Sequence, residues 1–147
     1  MNIQKYLEKM KNMQNYLLSF IENQDNSEEN YQILISYLNE QEIFNSHAET
    51  KSFIHLLCKI LNNHYRSPCF FNKIEKILLF CKESIQKFFS NFEIFNIFKS
   101  NKKILLFLIK QNIFFIDKCI FHIMSEEKYM NMDYLHYFYP EIKNYLH

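Results

Sequence analysis

The absence of glycine is the feature of this 147-residue sequence that most restricts its fold. Glycine supplies the positive φ angles and close backbone approaches that phosphate-binding loops, dinucleotide fingerprints and nucleophile elbows require. It is also the preferred residue in tight β-hairpin turns. Its absence argues against these sites in their usual forms and disfavours a β-rich fold. The abundance of Phe, Ile, Asn, Lys and Tyr, whose codons are AT-rich, indicates an AT-rich genome.

Apolar residues recur at three- and four-residue spacing along almost the whole chain. In the first segment these positions are Ile3, Tyr6, Leu7, Met10, Met13, Leu17, Phe20 and Ile21. Such a stripe follows one face of an α-helix, which has 3.6 residues per turn. The pattern predicts one long helix that ends near Asn23, and an all-α fold for the chain as a whole.

Serine residues mark where several later helices are predicted to begin. Ser46 and Ser90 each precede a glutamate by three residues, as in a capping box. Ser67 followed by Pro68 indicates a helix with serine as its N-cap and proline at its first position. Ser100 is predicted to precede the next helix. Further helices are predicted over residues 114–124, 132–139 and 140–146.

Short helices of about 8–12 residues joined by brief links are typical of helix-pair repeats. The pentapeptide KILLF at residues 76–80 recurs at residues 103–107, which is consistent with degenerate repeats. We therefore predict an α-solenoid-like stack of seven to nine helices in antiparallel pairs. No change in composition marks a linker, so residues 1–147 are predicted to form a single helical domain.

The charge pattern argues against binding to nucleic acid. The formal net charge is +1, and Arg66 is the only arginine, although arginine is the residue best suited to bidentate contacts with phosphates and bases. A small basic cluster, Lys99, Lys102 and Lys103, is interpreted as solvated charge beside a helix start. We expect no nucleic-acid partner.

No segment is predicted to span a membrane. The N-terminus lacks the apolar core of a secretion signal. Residues 104–124 come nearest to a span, but they include Lys110, Asp117 and Lys118, and a charge near the centre of a span costs about 2.5–3.5 kcal/mol. We interpret this segment as two buried helices.

The four cysteines, Cys58, Cys69, Cys81 and Cys119, lie within apolar periodic segments, as buried free thiols do. Without a secretion signal, this favours the reducing cytoplasm. The pairs His55/Cys58 and Cys119/His122 have a spacing that could place two zinc ligands on one helix face. Packing of the cysteines into apolar stripes is the preferred interpretation, and no metal site is predicted.

No arrangement of residues indicates catalysis. Nearly all of serines 27, 46, 67, 90 and 100 lie where helix caps are needed, which explains them without a hydrolytic role. No carboxylate is paired with a partner in a way that indicates acid–base chemistry. The chain is predicted not to be an enzyme and to need no cofactor.

Three stretches together carry a family resemblance that covers nearly the whole chain. They are residues 3–18, residues 62–108, which include NNHYRSP at 62–68 and KIEKILL at 73–79, and YPEIK at residues 139–143. They resemble the N-terminal helical region of the ankyrin-repeat proteins of trichomonad protists. The resemblance implies a helical domain of unknown function that precedes an ankyrin array, and such arrays bind proteins. The ankyrin signature Thr-Pro-Leu-His is absent, so no complete repeat is predicted within residues 1–147.

Aromatic residues crowd the C-terminal segment and suggest a binding surface, because Tyr is enriched among the residues that dominate interface energetics. The predicted interaction surface consists of Tyr134, Tyr137, Phe138, Tyr139, Ile142 and Tyr145. The alternative is ordinary packing of the terminal helices onto the core.

Two functions remain open from the sequence. The first is a non-catalytic protein–protein interaction module that caps and orients an ankyrin array. The second is a stand-alone helical adaptor or effector that self-associates. The expected partner is accordingly another protein or a following ankyrin array, and weak self-association is expected through the aromatic C-terminal segment.

Overall fold

The computed structural model describes residues 2–23, 28–63 and 69–119, together with Pro140. These residues form seven α-helices and two 3₁₀ helices and contain no strand. The α-helices are α1 (Ile3–Glu22), α2 (Glu28–Glu40), α3 (His47–Asn63), α4 (Phe70–Phe80), α5 (Lys82–Phe88), α6 (Asn91–Phe98) and α7 (Lys102–Lys110). The 3₁₀ helices are Ile43–Asn45 and Ile116–Lys118. The prediction of an all-α fold is confirmed.

Two of the predicted N-caps are also confirmed. At the start of α3, the Ser46 hydroxyl accepts a hydrogen bond from the Glu49 backbone N–H at 3.2 Å. At the start of α6, the Ser90 hydroxyl accepts from the Glu93 N–H and the Glu93 carboxylate accepts from the Ser90 N–H, which completes a capping box. Caps of this kind stabilise a helix by about 1 kcal/mol, because the first N–H groups have no partner within the helix.

The start of α7 differs from the prediction. Its N-cap is Asn101, whose side-chain oxygen accepts from the Ile104 N–H at 3.1 Å, so placing Ser100 at the start was wrong by one residue. Asparagine and serine are equally good caps, so cap preference alone cannot choose between neighbouring positions. The Asn101 side chain is buried, which ties the cap to the packing of this helix.

α7 ends in a Schellman motif. The Ile113 N–H donates to the Leu108 carbonyl at 2.9 Å, and the Asn112 N–H donates to the Ile109 carbonyl at 3.1 Å. Asn112 has a φ of 59°, in the left-handed region. Because the chain contains no glycine, asparagine, which tolerates this region better than most residues, takes the position that glycine usually fills.

The helix predicted over residues 114–124 is wrong in its described part. Phe115 lies in an extended conformation and leads into the 3₁₀ helix Ile116–Lys118. The Phe115 N–H donates to the side-chain oxygen of Asn91 at 3.0 Å, a bond that ties this segment to the start of α6. Apolar residues keep a three- and four-residue spacing here, which is why periodicity alone predicted a further helix. Residues 120–124 lie outside the described residues.

Other predicted elements also lie outside the described residues. They are the helix start at Ser67 and Pro68, the helix over residues 132–139 and the helix over residues 140–146, apart from Pro140, which is helical. In the described part, α4 begins at Phe70 after its N-cap, Cys69.

The chain divides into two compact units, Met1–Ser84 and Ile85–His147. The predictions of a single domain and of a solenoid-like stack concern the arrangement of the whole chain, and both stay predictions. Among the residues that the structure describes, no helix combines the length and the apolar character needed to cross a membrane.

In the first unit, α1 and α2 pack as an antiparallel pair. The rings of Tyr16 and Tyr37 lie 4.4 Å apart between centroids, and those of Phe20 and Tyr31 lie 5.4 Å apart. Fully buried side chains of this unit include Met13, Leu17, Leu34, Leu38, Ile43, Phe53, Ile54 and Leu57. The apolar stripes predicted from the sequence therefore form the core of this unit. Burial of each such side chain stabilises the fold by about 1.5–3 kcal/mol.

Two lysines of α4 hold the end of α1 and the beginning of α2. Lys73 is only 5% exposed, and its ammonium donates to the Phe20 carbonyl at 2.8 Å and to the Asn23 carbonyl. These carbonyls lie at the C-terminus of α1, where helical hydrogen bonding has ended and a positive charge is favourable. One turn later, Lys76 bonds the exposed Glu28 carboxylate at 2.7 Å.

In the second unit, α6, α7 and the segment after α7 share an apolar core. The stacked rings of Phe95 and Phe114 lie 6.5 Å apart between centroids, and both side chains are fully buried. The remaining core residues include Ile94, Phe98, Ile104, Leu105, Leu108, Ile113 and Ile116. The turn after α7 is held by Gln86, whose side chain donates to the Asn112 carbonyl at 2.8 Å.

Candidate interaction surface on the first two helices

α1 is longer than the helix that pairs with it. α1 has 20 residues and α2 has 13, which makes α1 about 10 Å longer at 1.5 Å per residue. Near the end of α2, the Tyr37 hydroxyl donates to the Lys9 carbonyl at 3.4 Å. Asn2, the N-cap, and residues 3–8 of α1, which precede this contact, are all exposed.

The apolar stripe of α1 continues from the core onto the surface. Its C-terminal part, Met13, Leu17, Phe20 and Ile21, is buried. Met10 is half-buried, whereas Ile3 is 76% exposed, Leu7 is 55% exposed and Tyr6 is also exposed. The stripe is therefore longer than the core that covers it.

A groove with a volume of about 650 Å³ lies beside the exposed end of α1. We name it the α1 groove, and its lining residues are Asn2, Lys5, Tyr6, Glu8, Lys9, Asn12, Tyr37 and Gln41. Lys9 is held from α3 by an ion pair with Glu49 at 3.0 Å. Lys5 and Glu8 are exposed, so the groove combines tyrosine rings with charged groups that a partner can reach.

A second, shallower groove of about 360 Å³ follows the same helix pair. We name it the α2 groove, and its lining residues are Tyr16, Glu29, Gln32, Ile33, Ser36, Tyr37 and Glu40. Tyr37 lines both grooves. The Tyr37 ring also contacts the Tyr16 ring in a tilted arrangement, so the two rings form a shared aromatic centre between the grooves.

The interaction surface predicted from the sequence lies outside the described residues. It comprised Tyr134, Tyr137, Phe138, Tyr139, Ile142 and Tyr145. Sequence reasoning missed the α1 and α2 grooves, although one signal was present. The apolar stripe of the first helix extends over more turns than that of the second, which leaves part of it without a matching face.

The cysteine–histidine pairs do not form a cluster of metal ligands in the described part of the chain. No group of three or more His, Cys, Asp or Glu side chains there is placed to hold a metal ion. His55 is exposed while Cys58 is buried, so the two side chains of that pair lie in different environments. Cys119 is buried, and His122 lies outside the described residues.

The basic cluster surrounds the start of α7. Lys99 follows α6 and donates to the Asn96 side-chain oxygen at 3.3 Å, whereas Lys102 and Lys103 occupy the first turn of α7. Their place at a helix start agrees with the sequence interpretation. The absence of a nucleic-acid partner stays a prediction.

The prediction of unpaired, mostly buried cysteines is confirmed. All four thiols are free; Cys58, Cys81 and Cys119 are buried and Cys69 is half-buried. Burial raises the pKa of Cys58 to about 12 and, together with the nearby Asp117 carboxylate, raises the pKa of Cys119 to about 11. The pKa of Cys81 is also raised by burial.

Alkylation with iodoacetamide should therefore separate Cys69 from the other three thiols. The thiolate is the reacting form, and a raised pKa leaves little of it near neutral pH. We expect Cys69 to be labelled first in the native protein, and all four cysteines after denaturation. Mass spectrometry of digested time points measures this order. Labelling of native Cys81 as fast as that of Cys69 would contradict the buried placement.

No protein-family model, curated protein sequence or solved structure matches this chain.

Proposed function

We propose that the chain is a non-catalytic protein–protein interaction module whose binding surface is the exposed end of α1 with the adjoining α1 groove. The observation that carries the proposal is the continuation of the α1 stripe beyond the core, at Ile3, Tyr6 and Leu7. Adjacent exposed apolar residues rimmed by polar groups are typical of interaction sites. The adjoining α1 groove supplies the polar groups Lys5, Glu8 and Asn12.

Helix geometry explains why a protein suits this surface as a partner. Ile3 and Leu7 are four residues apart and therefore lie one above the other on the helix. Burial of such side chains against a partner removes apolar area from water, which stabilises an interface by about 25 cal/mol per Å² before the costs of association. Tyr6 and Tyr37 add rigid aromatic area with polar hydroxyl groups, as is common at interfaces.

Site-specific photo-crosslinking in cells tests the proposal. A photoreactive amino acid at Leu7 should crosslink the chain to a protein, because this position lies on the proposed surface. The matched control is Leu79 on α4, which is 44% exposed against 55% for Leu7. We expect the crosslinked product at Leu7 to exceed that at Leu79 severalfold. Equal or weaker crosslinking at Leu7 would contradict the proposal.

The family resemblance supports a more specific version, in which the module precedes and orients an ankyrin array. An in-frame array encoded after residue 147 would support this version. The proposal places the protein in the cytoplasm, where unpaired thiols such as Cys58 and Cys81 remain reduced.

A second candidate function, self-association of a stand-alone adaptor or effector, is favoured by a separate observation. The α1 groove and the α2 groove adjoin at Tyr37, and the α2 groove adds the exposed apolar side chain of Ile33 to this surface.

A further inference from the structure

The outward face of α2 carries a regular pattern of exposed residues. Glu29, Ile33, Ser36 and Glu40 are all exposed and follow one another at intervals of four, three and four residues. A helix with 3.6 residues per turn places these four side chains within about 60° of one another around its axis. All four line the α2 groove. The groove therefore follows a stripe that has a carboxylate at each end and an apolar side chain between them.

The two carboxylates of the α2 groove are available to a partner. Within the part of the chain that the structure describes, neither the Glu29 nor the Glu40 carboxylate forms a hydrogen bond or an ion pair. The neighbouring Glu28, in contrast, is bonded by Lys76 at 2.7 Å. The described residues that line the groove include these two glutamates and no lysine or arginine, so their formal charge is −2.

Helix stability accounts for only one of the two glutamates. Glu29 lies in the first turn of α2, where a negative charge is favourable. Glu40 is the last residue of α2, and the last turn includes no basic residue. The C-terminus of a helix carries a partial negative charge, so a carboxylate there lowers the stability of the helix. A positively charged partner would give Glu40 a favourable contact that the helix itself does not.

We propose that the α2 groove binds an amphipathic α-helix of another protein, with one basic side chain for Glu29 and one for Glu40. The two glutamates are 11 residues apart, or about 16 Å along α2, which is too far for them to share a metal ion. Ile33 and the rings of Tyr16 and Tyr37 supply apolar area between them. A helix that lays its apolar face into a groove is a common mode of peptide recognition.

The spacing on α2 also specifies the sequence pattern of the partner. Intervals of four, three and four residues read the same in both directions. A partner helix of either direction therefore needs basic residues 11 positions apart and apolar residues four and seven positions after the first of them. The two charge contacts fix the register, because a shift along α2 separates both pairs.

This site goes beyond the proposed function, because its partner is bound along α2 and not at the exposed end of α1. The result at the α2 groove is therefore independent of crosslinking at Leu7. Both glutamates are exposed, so salt screens their attraction to a partner, and we expect binding to weaken as ionic strength rises.

Amide NMR spectroscopy of the isotope-labelled chain, titrated with a designed peptide, tests the proposal. The probe is an alanine-based peptide of about 18 residues, long enough to form a helix, with two arginines and two leucines at the specified spacing. We expect saturable shifts of the Ile33 and Ser36 amide signals. A peptide of the same composition, with its arginines on opposite helix faces, should bind about fivefold more weakly or less.

Charge reversal at Glu40 separates binding from stability. Glu40→Lys should raise the Kd of the probe about fivefold or more, because it replaces an attraction with a repulsion. It should not lower the Tm of the chain, because a positive charge is favourable at the end of a helix. The double variant Glu29→Lys/Glu40→Lys should instead bind a peptide in which glutamates replace the two arginines.

The matched control is Glu83→Lys, which makes the same charge change on an exposed residue of α5 outside both grooves. It should leave the Kd within about twofold of that of the wild-type chain, since salt screens distant charges. Circular dichroism checks that every variant keeps its helix content.

Four results would overturn the proposed site. The first is a wild-type chain whose Ile33 and Ser36 amides show no saturable shift at any attainable peptide concentration. The second is equal affinity for the two peptides of the same composition, which would indicate general attraction to a positive charge. The third is an equal loss of affinity in Glu83→Lys and Glu40→Lys. The fourth is a shift of the same amides on dilution without peptide, which would place a second copy of the chain in the groove.

Discussion

Replacement of Lys73 by methionine should lower the free energy of unfolding by about 2–3 kcal/mol. The ammonium group is buried and donates to the Phe20 and Asn23 carbonyls at the end of α1. Methionine is of similar length and apolar, so it keeps much of the packing while removing the donor. A buried carbonyl that loses its donor has neither a protein partner nor water to bond, so its full desolvation penalty lowers the stability of the folded state. Urea denaturation followed by circular dichroism measures the change.

Lys76→Met provides the matched control for this prediction. The same substitution is made one turn later on α4, where the ammonium is partly exposed and pairs with the exposed Glu28 carboxylate. Exposed ion pairs contribute little because water and salt screen them. We expect Lys76→Met to lower the free energy of unfolding by only a small fraction of the decrease caused by Lys73→Met. Equal losses for the two variants would refute a special role for the buried lysine.

Replacement of Phe114 by alanine should lower the free energy of unfolding by about 3–5 kcal/mol. Phe114 is 1% exposed and stacks on Phe95 in the core of the second unit. Truncation removes the buried ring and leaves a cavity that the neighbouring residues fill only in part. Thermal and urea denaturation of the purified variant measure the loss.

Phe115→Ala is the control for the second prediction. Phe115 is 42% exposed, and its contact with α6 is made by the backbone N–H, which alanine retains. We therefore expect Phe115→Ala to cost about 1 kcal/mol or less. If Phe114→Ala and Phe115→Ala lower the free energy of unfolding by the same amount, the placement of Phe114 as buried and Phe115 as exposed is incorrect.

Local sequence patterns were sufficient to predict much of the fold. The 3.6-residue period of α1 and the capping pattern at Ser90 and Glu93 each depend on residues within a few positions of one another. The same patterns failed where two local signals compete. Asn101 and Ser100 are both good caps, and the apolar spacing after Phe114 resembles that of an α-helix although the chain forms the 3₁₀ helix Ile116–Lys118 there.

Features that depend on distant residues could not be predicted in this way. Lys73 lies beside the apolar stripe of α4, and nothing nearby in sequence indicates that it meets the end of α1. The exposure of Ile3 and Leu7 is likewise decided by where α2 ends, not by α1 itself. The length difference between the two stripes is the one sequence signal that could have indicated the grooves.

The placement of Lys73 also has a consequence for the protein while it is being made. The lysine follows its acceptor Asn23 by 50 residues, so α1 and α2 leave the ribosome before α4 does. At a synthesis rate of about 5–20 residues per second, several seconds pass before the lysine is available. During that interval only water can satisfy the last carbonyls of α1. The emerging helical pair is therefore incomplete until α4 arrives to close it.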